Sequence, residues 1–307
     1  MRIVTFTPKS APSAAPRAGA LLPDGQHVLN FAVAVDASAE VPLLTWYDLD
    51  DEWLPKASQV HDQLAQNMAR RETLPRGAVL SVDDVRLGPP VPRPGKVICI
   101  GLNYKDHAAE SGMAVPESPV TFSKYPTAVI GPDRPIVLPS TSTQVDYEAE
   151  LAVVIGRRAK HVPIERAWDC VLGYTNLNDV SARDMQFADK QWQRGKSCDT
   201  FAPMGPAIVT RDEVGDPHKL RVRLRLNGET MQDSSTEQLI FGVDYVVAFL
   251  SQTVTLEPGD VIATGTPPGV GFARKPPVFL KPGDVVEVEV EKLGVLRNPV
   301  VEESVRG

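Results

Sequence analysis

Two glutamates stand two positions apart inside the apolar stretch VDYEAELAVVIG, residues 145–156. In an extended strand successive side chains face opposite ways, so Glu148 and Glu150 project together with Ala149 behind them. Paired carboxylates repel unless a cation lies between them. Oxygen-only ligation suits a hard divalent ion: Mg²⁺, Mn²⁺ or Ca²⁺. The competing reading is a solvated strand face, a pattern that VEVEVEK at 286–292 also shows. Asp179 supplies a third carboxylate at the end of GYTNLND; its alternative role is capping the helix that SARDMQ opens. On that helix Arg183 and Gln186 are three apart and share a face, one a carboxylate-binding fork, the other an amide. Asp184 reads as an ordinary first-turn residue.

In NYKDHAAESG, His107 and Glu110 are again one helical turn apart. A carboxylate beside an imidazole fixes its tautomer, as a general base requires, although such pairs are common on solvated helices. The other four histidines (His27, His61, His161 and His218) lack such neighbours and read as structural or surface. Lys196, in RGKSCDTF, follows a segment with room to move; an ammonium there would stabilise charge developing on an enolate. ATGTPPGVG at 263–271 lacks the phosphate-loop pattern. Its hydroxyls, Thr264 and Thr266, and its N–H groups suit an anionic substrate end.

Several elements must position these groups. KVICIGLNY, DYEAELAVVIG and GYTNLNDV read as strands, and KDHAAES as a short helix ended by Gly112. LRVRLRLNGETMQDSST is a hairpin turning at Asn227-Gly228. VDYVVAFLSQ is an amphipathic helix, and two PGD turns each precede a strand. Many strands, few helices and no steady strand–helix alternation predict an α+β, mostly β, mixed and largely antiparallel core. Residues 1–90 read as a smaller N-terminal α+β unit with a helix near 58–72. Pro89, Pro90, Pro92 and Pro94 then mark a linker or extended crossing before a catalytic unit at 91–307.

The 307 residues carry a net charge of −7 and no basic run, which argues against a nucleic-acid partner. No apolar run approaches the ~20 residues that span a bilayer. Three widely spaced cysteines, Cys99, Cys170 and Cys198, form neither a disulfide framework nor a zinc motif and fit a reducing compartment. Residues 1–23 lack acids and carry Arg2, Lys9 and Arg17, a transit-peptide flavour, but their prolines favour a strand and loop. The expected compartment is the cytoplasm, with the mitochondrial matrix as alternative.

NYKDHAAE, PVTFSKYPTAVIGP, VDYEAELAVVIG, GYTNLNDVSARDMQ, GKSCDTFAPMGPAIV and PGDVIATGTPPGVG, in this order over roughly residues 95–295, resemble the fumarylacetoacetate hydrolase family. GKSCDTFAPMGP, DPHKLRVRLRLNGE and RKPPVFLKPGD look most like its domain-containing protein 2 branch. The resemblance implies a β-roll catalytic domain, a homodimer and one Mg²⁺ or Mn²⁺ on Glu148, Glu150 and Asp179. It implies a water-activating His107–Glu110 pair on a lid helix, and substrate contacts from Lys196, Arg183, Gln186 and Thr266. The activity it implies first is hydrolysis of a C–C bond in acylpyruvate-type 2,4-dioxo acids through a metal-stabilised enolate. The alternatives are an oxaloacetate decarboxylase or keto–enol tautomerase on the same site, and, further off, a non-catalytic 2-oxo-acid binder.

Overall fold

The computed structural model describes residues 1–35, 41–70, 72–112, 114–188 and 190–304. The expected helix near 58–72 therefore touches Arg71, and the expected catalytic unit touches residues 305–307, outside the described residues.

A twelve-stranded sheet forms the frame. Its central strand is Ala149–Ile155, paired antiparallel with Val171–Asn178 on one side and Val261–Ala263 on the other. Val261–Ala263 then pairs parallel with Val97–Gly101, which pairs antiparallel with Val120–Lys124 at the sheet edge. A second sheet has five strands, including the hairpin Arg221–Leu226 and Glu229–Ser235 and the strand Val285–Val290. Asn227 and Gly228 form the hairpin tip with φ of 53° and 84°, the left-handed pair that a two-residue turn requires. The result is a mixed α+β fold with more strand than helix, the class expected from the sequence.

The central strand reads as one apolar run because both of its faces are covered. Ala149, Leu151, Val153 and Ile155 face a core shared with the five-stranded sheet and the helix Val243–Thr253. Ala152 and Val154 face a second core built with Ile3, Leu29, Trp46 and Leu64. Fully burying each of its Leu, Val and Ile side chains stabilises the fold by about 1.5–3 kcal/mol.

Residues 1–90 contribute to the same frame. Arg2–Pro8 pairs antiparallel with Ala202–Thr210 of the large sheet, and the Met1 ammonium donates to Thr210 Oγ1 at 2.8 Å. The helix expected near 58–72 begins earlier, at Trp53, because Pro55 fits a first helical turn. The proline-rich segment is neither helix nor strand between Gly88 and Lys96. It is packed rather than loose: Val91 is fully buried, and Thr5 Oγ1 donates to Pro89 O at 2.7 Å.

Candidate metal centre and active site

The structure breaks the expected single strand at 145–156. Val145–Asp146 pairs with Ser181–Ala182, and the chain changes partner before Ala149–Ile155 joins Val171–Asn178. Glu148 lies at this change of partner. Its N–H donates to Asn178 Oδ1 at 3.0 Å, and its carbonyl accepts the Asp179 N–H at 2.9 Å. Asp179 follows its strand directly, and the two-residue strand Ser181–Ala182 separates it from the helix Arg183–Ala188, so it does not cap that helix. Glu148, Glu150 and Asp179 each bring a carboxylate oxygen within 4.8 Å of the others. They are buried, at 7%, 1% and 0% exposure.

Three cations surround this triad. Lys196 Nζ donates to Glu148 Oε2 and to Asp179 Oδ2, both at 2.8 Å. Lys124 Nζ holds the other Asp179 oxygen at 2.5 Å and Val180 O at 3.0 Å. Arg183 reaches Glu148 Oε1 at 2.7 Å and puts Nε and Nη2 on Asp146 Oδ2 at 2.9 and 2.7 Å. Burial raises the Glu148 carboxyl, but Lys196 and Arg183 outweigh it and bring the pKa down to about 2. Burial also raises Glu150, and Asp179 and Glu148 push it further, well above the ordinary carboxyl range. Burial works against the Lys196 ammonium, yet Asp179 and Glu148 hold its pKa above the ordinary value, so it is a proton-retaining donor. Four carboxylates, counting Asp146, face three cations. The donor set has only oxygen atoms and, with all four carboxylates ionised, one negative charge more than the three cations balance, which fits a divalent cation held by Glu148, Glu150 and Asp179.

Glu148 and Glu150 line a cavity of about 380 Å³ together with His107, Glu110, Arg183, Gln186, Lys196 and Thr266, and Asp179 lies fully buried behind them. His107 and Glu110 lie on the helix Lys105–Ser111, which ends at Gly112 with φ 64° as its sequence predicts. His107 Nδ1 meets Glu110 Oε2 at 3.1 Å, and Glu110 Oε1 accepts the Gly269 N–H at 3.0 Å. This arrangement puts the ring proton on Nδ1 and leaves the Nε2 lone pair for proton transfer. Phe122, Trp192, Phe187 and Phe272 form an aromatic wall.

Residues 96–301 match the family of fumarylacetoacetate (FAA) hydrolase C-terminal domains. The chain belongs to the fumarylacetoacetate hydrolase family. It is 44% identical over 303 residues to "Oxaloacetate tautomerase fahd2, mitochondrial" of Xenopus laevis, covering 98% of this chain and 90% of that protein. "Oxaloacetate tautomerase FAHD2A, mitochondrial" of Bos taurus is 51% identical over 237 residues, 76% of each chain. The solved fumarylacetoacetate hydrolase of Exiguobacterium antarcticum superposes with a TM-score of 0.81 at 36% identity, covering 99% of this chain and 100% of its own. This member of the family is an enzyme, and the names of its relatives favour the oxaloacetate alternative over acylpyruvate hydrolysis. No helix among its described residues is long and apolar enough to cross a membrane.

The nine residues singled out in the sequence of this family member converge, though not always as expected. Lys196 ends the short helix Gln193–Lys196 and is 2% exposed, held by the Glu148 and Asp179 carboxylates. The Arg183 fork is occupied by Asp146 and Glu148, and Nη1 donates to Gln186 Oε1 at 3.0 Å. The Thr266 hydroxyl donates to Ala149 O at 3.0 Å and accepts from Gln232 at 2.9 Å.

Sequence reading missed Lys124, Asp146 and Gln232. Asp146 carried a signal, since it shares strand parity with Glu148 and Glu150 in VDYEAE. It also accepts the Gly271 and Phe272 N–H groups at 2.7 and 3.0 Å, which ties the cavity loop to Arg183. A Cβ at Gly271 would lie 1.9 Å from Val278 O and 2.6 Å from Asp146 Oδ1. Gly271→Ala should therefore lower stability by about 1–3 kcal/mol, read as a lower urea midpoint at unchanged slope.

Proposed function

We propose that this enzyme interconverts the keto and enol forms of oxaloacetate, with Mg²⁺ or Mn²⁺ as its resident ion; the same oxygen donors admit Ca²⁺. The observation that carries the reading is a base with one free ring nitrogen opening onto the same cavity as a buried three-carboxylate clamp. The names of the relatives support oxaloacetate as the substrate.

A divalent ion on Glu148, Glu150 and Asp179 supplies Lewis-acid polarisation of the carbonyl beside a 2-oxo acid's carboxylate. His107 Nε2 takes the proton from C3 in the keto-to-enol direction and returns it in the other. Glu110 stabilises the imidazolium while it exists. Lys196 keeps its proton and offers an N–H to the oxygen at C2 as negative charge builds there. Gln186 and Thr266, at the cavity wall, contact the substrate. Arg183 acts by holding Glu148 and Gln186.

A second reading, C–C hydrolysis of an acylpyruvate, is favoured by the size of the cavity and its aromatic wall, which leave room for an acyl tail. The family likeness also supports a homodimer. The three free thiols suit a reducing compartment, and the mitochondrial names of the relatives favour the matrix.

Incubating the protein and Mg²⁺ separately with oxaloacetate, acetylpyruvate and fumarylpyruvate, with NMR identification of products, tests the choice. Faster keto–enol exchange of oxaloacetate, with no acetate or fumarate from the other two, is the expected result. Stoichiometric pyruvate plus acetate or fumarate would make the enzyme a hydrolase.

A further inference from the structure

Gln232 belongs to the hairpin strand Glu229–Ser235, in the sheet opposite the metal clamp. The pairing of that strand shifts by one residue: Leu224 faces Gln232, while Arg225 faces Thr230. Met231 is the extra residue of this bulge, and a bulge re-aims the side chains beside it. Met231 and Gln232 are consequently both buried, at 7% and 1% exposure, although strand alternation would put one of them in water.

The turned-in amide is fully used. Gln232 Oε1 accepts the Ala149 N–H at 2.9 Å. Its Nε2 donates to Thr266 Oγ1 at 2.9 Å and to Pro267 O at 2.8 Å. Thr266 Oγ1 in turn donates to Ala149 O at 3.0 Å, closing a ring of hydrogen bonds around one residue. That residue lies between Glu148 and Glu150. The loop held by the same amide also supplies the Gly265 N–H that binds Glu150 Oε2 at 2.7 Å.

We propose that Gln232 is a positioning residue for the metal clamp, fixing Glu148 and Glu150 through the Ala149 backbone and the 265–267 loop. The inference rests on the reading that Glu148, Glu150 and Asp179 hold the divalent ion. Gln232→Leu keeps most of the side-chain volume and removes all three bonds. Gln232→Glu keeps the acceptor for Ala149 and loses both donors.

The test is calorimetric titration of chelator-stripped wild type and both variants with Mn²⁺, alongside urea unfolding of the metal-free proteins. Gln232→Leu should weaken Mn²⁺ binding about 10- to 100-fold, as loss of a group that orients metal ligands does. Gln232→Glu should fall between wild type and Gln232→Leu, and it answers alone if Gln232→Leu does not fold. A lower urea midpoint with Mn²⁺ affinity within about twofold of wild type would show a purely structural role and overturn the inference. Failure of the wild type itself to take up Mn²⁺ would overturn the clamp reading instead.

Discussion

Glu150→Gln should lose metal-dependent activity and yet fold nearly as well as wild type once metal is stripped. The asymmetry follows from the environment of Glu150. Lys196 and Lys124 serve Asp179, and Lys196 and Arg183 serve Glu148. The one hydrogen bond described for the Glu150 carboxylate comes from the Gly265 N–H, and burial with two neighbouring carboxylates favours its protonated form. Glutamine copies that neutral form and keeps an oxygen for Gly265, so the metal-free fold loses little. A divalent ion needs the carboxylate, so Mn²⁺ affinity should fall by about 100-fold or more, at least the upper end of the loss for groups that only orient ligands. In wild type, Mn²⁺ at 100 times its Kd should add about 2.7 kcal/mol of stability, and in Glu150→Gln the same concentration should add about 0.4 kcal/mol or less. The pH sign is fixed by the same carboxyl. Burial and the neighbouring Asp179 and Glu148 favour a proton on Glu150, which the ion must displace, so Mn²⁺ affinity should rise with pH until the raised pKa is passed. Thermal melts with and without Mn²⁺ at several pH values read all of these effects. A Mn²⁺ increment equal to wild type in Glu150→Gln would remove Glu150 from the ligand set.

His107→Ala should show the opposite pattern: intact metal binding with turnover down about 100- to 10,000-fold, the range for loss of a general base. His107 makes no bond to the three carboxylates; its described partners are Glu110 and Asp106. Glu110→Gln should cost less, because Nδ1 keeps an oxygen acceptor while the stabilising charge is lost. The loss in His107→Ala should appear in kcat rather than KM, since the imidazole acts on the proton in transit. Turnover within about twofold of wild type would take His107 out of the proton transfer.

The grouping of Glu148, Glu150 and Asp179 was legible in the sequence because strand parity is a local rule. Glu148 and Glu150 share parity, and the Asp179 strand end lies beside them once Ala149 pairs with Asn178. The i,i+3 pairs His107–Glu110 and Arg183–Gln186 were legible for the same reason, and both are hydrogen bonded. What stayed hidden depends on distant pairing. Lys124 reaches Asp179 from 55 positions away, and Gln232 reaches Ala149 from 83. Gln232 was further masked because the bulge at Met231 breaks the alternation by which strand faces are read. The break before Ala149 was invisible since both halves of the stretch are extended and apolar. Residues 1–90 read as a unit because prolines 89–94 look like a boundary, whereas the pairing of Arg2–Pro8 with Ala202–Thr210 spans about two hundred residues and leaves no local mark.

The most direct test of the central claim is the interconversion of enol- and keto-oxaloacetate, followed by the decay of enol absorbance in stopped flow with pyruvate assayed in parallel. Wild type with Mg²⁺ should accelerate the decay far above a protein-free Mg²⁺ control, with no added pyruvate, and both Glu150→Gln and His107→Ala should cut that acceleration at least about 100-fold. Decay at the control rate with wild type, or pyruvate formed in step with the loss of oxaloacetate, would contradict the account.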